Sequence, residues 1–230
     1  YTGMVALIVP VYAVHYGWRN FLWFSDIALV CITIALWTGS ALLASMMAVG
    51  VLVAELVWCA GFLGRLMFGV RITGLADYMF EPHRPLYLRA ISLFHLALPP
   101  TLLWMLARLG YDERALVAQT MLAWIVLPVT YAVLRPQDEN INWVCGLGAR
   151  QTRYPPRTYL ALIMLAAPLV VYLPTHFTLK ALFSASSLGA PQSSQVANAR
   201  SVCASRHSSN TARAIAVVVP RACTSARVST

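Results

Sequence analysis

The sequence predicts an all-α polytopic membrane protein, a bundle of about six transmembrane helices followed by a polar tail. Of the 230 residues, 59% are hydrophobic and only 11% are charged, whereas soluble domains are nearer a quarter charged. The mean hydropathy is +0.67, and several apolar runs reach the roughly 18 residues that cross a bilayer. These runs are continuous rather than alternating, which favours helices over a β-barrel.

Six apolar runs follow one another through residues 1–182, which we predict to form the transmembrane domain. Turn-forming or charged residues such as Arg19 and the Thr38-Gly39-Ser40 sequence separate the runs. Spans of roughly 17–25 residues fit a hydrocarbon core about 30 Å thick. The predicted spans cover about residues 2–17, 20–37, 40–64, 86–106, 115–134 and 158–174.

Prolines inside these spans remove backbone N–H donors. The fourth run, LYLRAISLFHLALPPTLLWML, carries His95 near its middle and the pair Pro99-Pro100 one turn later. Because proline lacks an N–H group, the carbonyl of His95 loses its usual helical donor, and we expect the helix ladder to break there. In the sixth run, Pro168 frees the carbonyl of Met164 in the same way.

The two ends of the sequence differ from a regular bundle. Residues 183–230 are rich in Ser, Ala and Arg and contain no acidic residue, so they are predicted to be disordered. A natural polar tail and out-of-frame translation of a GC-rich gene both explain this composition. The sequence starts at Tyr1 without a Met or a basic leader region, so we expect the natural chain to begin further upstream.

The distribution of Lys and Arg predicts a multi-pass protein of the inner (plasma) membrane. Lys and Arg stay on the cytoplasmic side during insertion, and most of those before the tail fall on one side of the predicted topology. Loops 64–85 and 135–157, which carry seven arginines, are therefore predicted to be cytoplasmic.

The formal charge of +9 does not indicate nucleic-acid binding. Residues 1–182 contain twelve basic and eight acidic residues, and the tail supplies the remaining five positive charges. No basic face with interleaved aromatic residues appears. The five cysteines have neither disulfide nor metal-ligand spacing, so we predict no metal site, and no motif specifies a cofactor.

Three ionisable residues inside predicted spans form the candidate catalytic site. Charged groups in a membrane are costly and usually face the bundle interior. Asp26 is predicted to lie roughly 9 Å, and Glu55 and His95 roughly 13 Å, from the cytoplasmic ends of their helices. At a common depth, two carboxylates and an imidazole suit acid–base chemistry or a proton relay. The alternative is a hydrogen bond that only joins helices.

Four residues of the predicted cytoplasmic loops are candidates for substrate binding. Arg84 and Arg89 are placed to hold an anionic group, since guanidinium matches phosphate as a bidentate donor. Asn142 and Trp143 lie in the other loop and would help to close over the same headgroup. The alternative is a pair of ordinary basic loops with an interfacial tryptophan.

The runs NFLWFSDIALV, RPLYLRAISLFHLALPP and DENINWVCG resemble segments of uncharacterised bacterial polytopic integral membrane proteins. The resemblance covers roughly residues 10–147. It implies no activity for any residue, and it implies that the tail is atypical.

Three functions remain open at this stage. The first is a site in the cytoplasmic half that binds or modifies a membrane lipid or another small amphipathic molecule. The second is a small proton-coupled transporter that uses the same carboxylates, and the third is a structural membrane subunit without chemistry. Whether the protein is an enzyme is thus undecided. Faces of small residues on the helices also fit a homo-oligomer.

Overall fold

The described part of the chain is entirely helical. The computed structural model describes residues 1–135 and 138–184, and no strand occurs within these ranges. The predicted disordered tail, 183–230, lies outside them except for Phe183 and Ser184, which end the last helix.

Eight α-helices follow one another with short 3-10 segments between some of them. The 3-10 segments are Trp18–Leu22, Asp77–Phe80 and Ile141–Trp143, and a π-helical segment covers Ala167–Tyr172. The α-helices are α1 (Thr2–His15), α2 (Phe24–Thr38), α3 (Ala41–Phe68), α4 (Leu86–Ile91), α5 (Phe94–Leu109), α6 (Ala115–Val133), α7 (Pro156–Ala166) and α8 (Leu173–Ser184).

Four helical stretches in the described ranges are long and apolar enough to cross a membrane: Ala41–Phe68, Leu86–Leu109, Ala115–Val133 and Pro156–Phe183. They match the last four predicted runs. The first two runs form the shorter apolar helices α1 and α2, of 14 and 15 residues. At 1.5 Å per residue these are about 22 Å long, less than the hydrocarbon core of about 30 Å.

Local sequence signals set the limits of α2 and α3. Gly39, at φ 65°, ends α2, and Gly69, at φ 67°, ends α3, because glycine adopts the left-handed conformation without strain. The Ser40 side chain accepts a hydrogen bond from the backbone N–H of Leu43 at 3.3 Å and so caps the start of α3.

Helix α3 is the centre of the bundle. It packs against α2, α5 and α6. Ala44 and Ala48 are completely buried on it, since small side chains let helices approach closely. Gly50 lies against the side chain of Gln119 on α6, where an added Cβ would come within 2.4 Å of the amide nitrogen.

The fourth predicted span bends at a different place from the one expected. Its helix is interrupted at Ser92 and Leu93, between α4 and α5, whereas α5 continues through Pro99 and Pro100. The carbonyl of His95, which Pro99 deprives of its helical donor, accepts the thiol of Cys59 at 3.5 Å. A side chain of the neighbouring helix therefore replaces the missing backbone donor.

The sixth span is longer than predicted. The sequence indicated residues 158–174, but the helix continues to Phe183. It passes through the π-helical segment that contains Pro168. The freed carbonyl of Met164 accepts the indole N–H of Trp124 at 2.9 Å, so this proline is also accommodated by a donor from another helix.

The bundle has two ends, here called the loop end and the turn end. The loop end is formed by residues 16–23, 69–85, 134–135 and 138–155, with side-chain contacts such as Arg19 with Asp138 and Arg84 with Glu139. The turn end is formed by Gly39-Ser40 and residues 110–114, where Asp112 N–H donates to Ser45 Oγ at 3.0 Å. The two loops predicted to be cytoplasmic thus meet at one end.

Candidate functional site

A buried carboxylate–imidazole pair joins α3 to α5. His95 Nδ1 lies 2.7 Å from Glu55 Oε2, and the side chains are 14% and 4% exposed, respectively. A hydrogen bond that involves an ionisable group strengthens in an apolar interior, because little water competes with it. Glu55 and His95, predicted to share a depth, are therefore in direct contact.

Aromatic rings hold the imidazole on both sides. The His95 ring stacks on Trp58, with centroids 4.6 Å apart, and on Phe94 at 4.1 Å. Trp58 follows Glu55 by three residues and so lies on the same side of α3. The pair thus combines one polar contact with two apolar surfaces. These rings were not predicted from the sequence, although Trp58 lies three residues after Glu55 and this spacing indicates a shared helix face.

The 3-10 segment Asp77–Phe80 packs against the side of α3 that carries Trp58. Trp58, Phe62, Ala76 and Met79 form a buried apolar cluster, against which Tyr78 and Phe80 also pack. Tyr78 lies 6.4 Å from Trp58 between ring centroids, and its burial raises the pKa of its hydroxyl, which therefore stays neutral. We call residues 75–80 the cap.

Polar groups surround the pair without completing every hydrogen bond. The Tyr12 hydroxyl lies 2.8 Å from Ser92 Oγ, at the interruption between α4 and α5. Within the described ranges, the buried atoms Trp58 Nε1 and Asp26 Oδ1 have no hydrogen-bond partner. Unsatisfied buried polar atoms are rare in folded proteins, and here two occur on helices α2 and α3 of the same core.

Asp26 lies in the same core but outside the hydrogen-bonded pair. Helix α2 begins at Phe24, so Asp26 is in the first turn, about 3 Å from the helix start rather than the predicted 9 Å. Its Oδ2 accepts from the Asn20 side chain at 2.8 Å. Two of the three predicted catalytic residues are thus bonded to each other.

The predicted headgroup-binding arginines bind protein groups. Arg84 donates to Glu81 at 2.8 Å and to Glu139 at 2.9 Å. Burial opposes its charge, but these two hydrogen bonds hold the pKa of its guanidinium above the usual value. Arg89 donates to the carbonyl of Met79 at 3.2 Å. Arg84 therefore ties the two loops together, and Arg89 ties α4 to the cap.

Asn142 connects the other loop to the start of α2. Its Oδ1 accepts from the backbone N–H of Phe24 at 3.1 Å, and its Nδ2 donates to the carbonyl of Leu22 at 2.7 Å. Asn142 and Trp143 have φ values of 50° and 56°, which are uncommon for residues other than glycine. The two hydrogen bonds compensate for this backbone conformation.

Four helical stretches of the described ranges are long and apolar enough to cross a membrane, which is consistent with the class of helical membrane proteins. No protein-family model, curated protein or solved structure matches the chain. Within residues 1–135 and 138–184, no group of three His, Cys, Asp or Glu side chains is placed to hold a metal ion. The function is therefore argued from the site alone.

Proposed function

We propose that this chain is a six-span protein of the bacterial inner membrane whose Glu55–His95 pair binds a lipid or another small amphipathic molecule and exchanges a proton with it. The observation that carries the proposal is the 2.7 Å contact between the two ionisable side chains, buried between α3 and α5. Such groups are costly in a membrane and are usually retained for a function.

The proposal of six spans extends the four membrane-length helices by α1 and α2. Both are predominantly apolar, although α2 carries Asp26 in its first turn, and they pack in sequence, α1 on α2 and α2 on α3. Trp18 and Trp37, at the two ends of this pair of helices, are 59% and 77% exposed, as expected for residues at the two membrane interfaces. The short helices fit a span if the flanking segments complete the crossing.

The pair has the arrangement of an oriented base. A carboxylate bonded to Nδ1 fixes the imidazole with its proton on that nitrogen and leaves Nε2 as an acceptor. His95 Nε2 makes no hydrogen bond to any described residue, so it is free for a ligand. It would take a proton from a headgroup hydroxyl or ammonium group, while Glu55 stabilises the resulting imidazolium. The Trp58 and Phe94 rings, which are 5% and 2% exposed, hold the imidazole in place from both sides.

Access from the loop end is favoured by the distribution of polar groups. Tyr12 and Ser92 lie on that side of the bundle, and so does Tyr78 in the cap. Towards the turn end, the buried polar residues Ser45 and Gln119 lie among the fully buried apolar side chains that mainly fill the core: Leu29, Ile32, Met47, Leu98 and Leu102. A proton-coupled carrier needs a continuous polar route across the bundle. The apolar packing near the turn end interrupts such a route, which favours a site that opens only toward the loop end.

Native mass spectrometry of protein released from lipid nanodiscs tests the proposal. The wild type and Thr130→Val, a buried polar control on α6, should retain an amphipathic molecule that Glu55→Gln and His95→Gln lose while remaining folded. Equal retention by all four proteins would exclude the pair as the binding site. The same spectra count chains and so test the predicted homo-oligomer.

A proton-flux measurement in proteoliposomes tests the carrier alternative. One-sided access predicts no proton movement through the wild type in excess of protein-free vesicles. Flux that is lost in Glu55→Gln would instead establish a carrier. If Glu55→Gln and His95→Gln both unfold, the Glu55–His95 pair has a structural role.

A further inference from the structure

A second polar site lies at the loop end, where α3 leaves the bundle. A pocket of about 500 Å³ opens there and is lined by Arg65, Arg71, Asp77, Phe80 and Glu81 among others. None of these residues belongs to the Glu55–His95 pair. The sequence analysis counted them only as parts of basic loops.

One side of the pocket carries excess positive charge. Arg65 Nη1 lies 2.8 Å from Asp77 Oδ1, and Arg71 pairs with the other oxygen of the same carboxylate. Two guanidinium groups thus share one carboxylate, which leaves a net charge of one positive unit. A guanidinium has five N–H donors, and Asp77 engages one nitrogen of each, so donors remain for an anion. The Arg71 side chain is 69% exposed.

The other side of the pocket carries the carboxylate of Glu81. Arg84 donates to both Glu81 and Glu139, so one guanidinium is shared by two carboxylates. Glu81 lines the pocket, and its side chain is 38% exposed. The adjacent His83 Nε2, 3.3 Å from Glu81, adds no full charge when it is neutral. The pocket therefore has a cationic and an anionic side.

Exposed apolar residues lie beside the pocket and form a hydrophobic surface. The last turn of α3 and the chain after it present large hydrophobic side chains, each more than half exposed: Leu66, Met67, Phe68, Val70 and Ile72. A contiguous apolar surface of this kind marks a membrane or protein contact. It adjoins a predicted membrane interface, which favours a component of the bilayer as the ligand of the pocket.

We infer that this pocket binds the headgroup of a zwitterionic phospholipid with a primary ammonium group, of the phosphatidylethanolamine type. Arg65 and Arg71 hold the phosphate through charge-assisted hydrogen bonds, and Glu81 accepts from the ammonium group. A phosphatidylglycerol headgroup offers Glu81 no ammonium group, and a phosphatidylcholine headgroup offers it no N–H donor. This site is independent of the proposed function, since neither Glu55 nor His95 takes part.

Lipid retention from mixed nanodiscs tests this inference. In nanodiscs with equal amounts of phosphatidylethanolamine, phosphatidylcholine and phosphatidylglycerol, the wild type should retain phosphatidylethanolamine in preference to both others. Arg71→Gln should reduce retention of phosphatidylethanolamine about tenfold, as expected for loss of one charge-assisted contact. Glu81→Gln should abolish the preference over phosphatidylcholine. The control Arg153→Gln, which removes an exposed arginine from the other loop, should leave the profile unchanged.

Each contrary result overturns the assignment. Retention by the wild type in proportion to the bulk mixture, or a preference for phosphatidylglycerol, excludes a zwitterionic site without reference to any variant. An unchanged profile in a folded Glu81→Gln excludes the ammonium contact. Soluble phosphoethanolamine at millimolar concentration should not displace the lipid, and displacement would show that the pocket serves a free metabolite. Glu55→Gln should keep the preference, which separates this test from that of the Glu55–His95 pair.

Discussion

The two halves of α3 pack against the neighbouring helices with different kinds of side chain. In the half near the turn end, Ala44, Ala48 and Gly50 bring α2, α5 and α6 close, and Gln119 fills the space over Gly50 with its amide. In the half near the loop end, the contacts are made by large or ionisable groups, Glu55 and Trp58 above all. One continuous helix thus carries a tightly packed region and a polar, aromatic region.

The difference supports the proposal that the half near the loop end is adapted for more than stability. Small residues on both sides of a contact are enough to hold helices together in a membrane. An ionisable pair adds a desolvation cost that packing does not require. The half near the loop end therefore contains the functional candidate, whereas the half near the turn end contains the framework. The following variants test this division, from the largest expected effect to the smallest.

The largest effect is expected on breaking the Glu55–His95 pair. Glu55→Leu should lower the free energy of unfolding by about 3 kcal/mol, because it leaves the imidazole buried without its partner. Glu55→Leu/His95→Leu should lose less than the sum of the single variants, with a coupling of about 1.5 kcal/mol, near the upper limit for membrane hydrogen bonds. Chemical unfolding in detergent micelles measures the free energy of unfolding of Glu55→Leu, of His95→Leu and of the double variant.

Additive losses would show that the two side chains do not stabilise each other. Thr130→Val serves as the matched control, because its hydroxyl bonds only within its own helix, to the carbonyl of Val126.

A smaller effect is expected in the tightly packed half. Gly50→Val places branched carbons where Gln119 lies, and overpacking costs about 2 kcal/mol. Replacing Gln119 by alanine in the same chain should restore most of this loss, since it removes the atoms that clash. Thermal unfolding of both variants provides the measurement. A Gly50→Val protein as stable as the wild type would contradict the close approach of α3 and α6.

Apolar runs and spacing predicted most of the helices. The predicted spans that begin at 40, 86 and 115 correspond to helices that begin at Ala41, Leu86 and Ala115, because apolar length and turn residues are local signals. The depth argument also placed Glu55 and His95 together. Both predictions depend on the apolar length of a run and on the position of a residue along it, which can be read from the sequence.

Contacts between distant segments were not predictable in the same way. The cap has no periodic pattern of apolar residues. Its position depends on packing against Trp58, and the sequence does not reveal this contact. The start of α2 was also not predicted, because the helix begins at Phe24 after the separate 3-10 segment Trp18–Leu22. The end of the last helix was missed because His176 and Lys180 are polar, yet they bond to Tyr111 and Glu113 across the turn end.

Substitutions of Asn142, which connects its loop to the start of α2, should have an effect of intermediate size on the free energy of unfolding. Asn142→Gly removes two hydrogen bonds but tolerates φ 50°, whereas Asn142→Ala removes the same bonds and adds left-handed strain of about 1 kcal/mol. The alanine variant should therefore be the less stable by that amount in chemical unfolding. Amide hydrogen exchange at Phe24 should accelerate in both. Equal stability of the two variants would contradict the strained conformation.

The smallest expected effect concerns the thiol that replaces a backbone donor. Cys59→Ala leaves the carbonyl of His95 without a partner and should lower the free energy of unfolding by about 0.5 kcal/mol, as for other weak hydrogen bonds. Pro99→Ala restores a backbone N–H to that carbonyl. In the Pro99→Ala background, Cys59→Ala should therefore have less effect than in the wild type. An equal loss in both backgrounds would mean that the thiol stabilises the protein by packing alone. A difference would show that the proline in α5 and the cysteine in α3 act as one unit beside the buried pair.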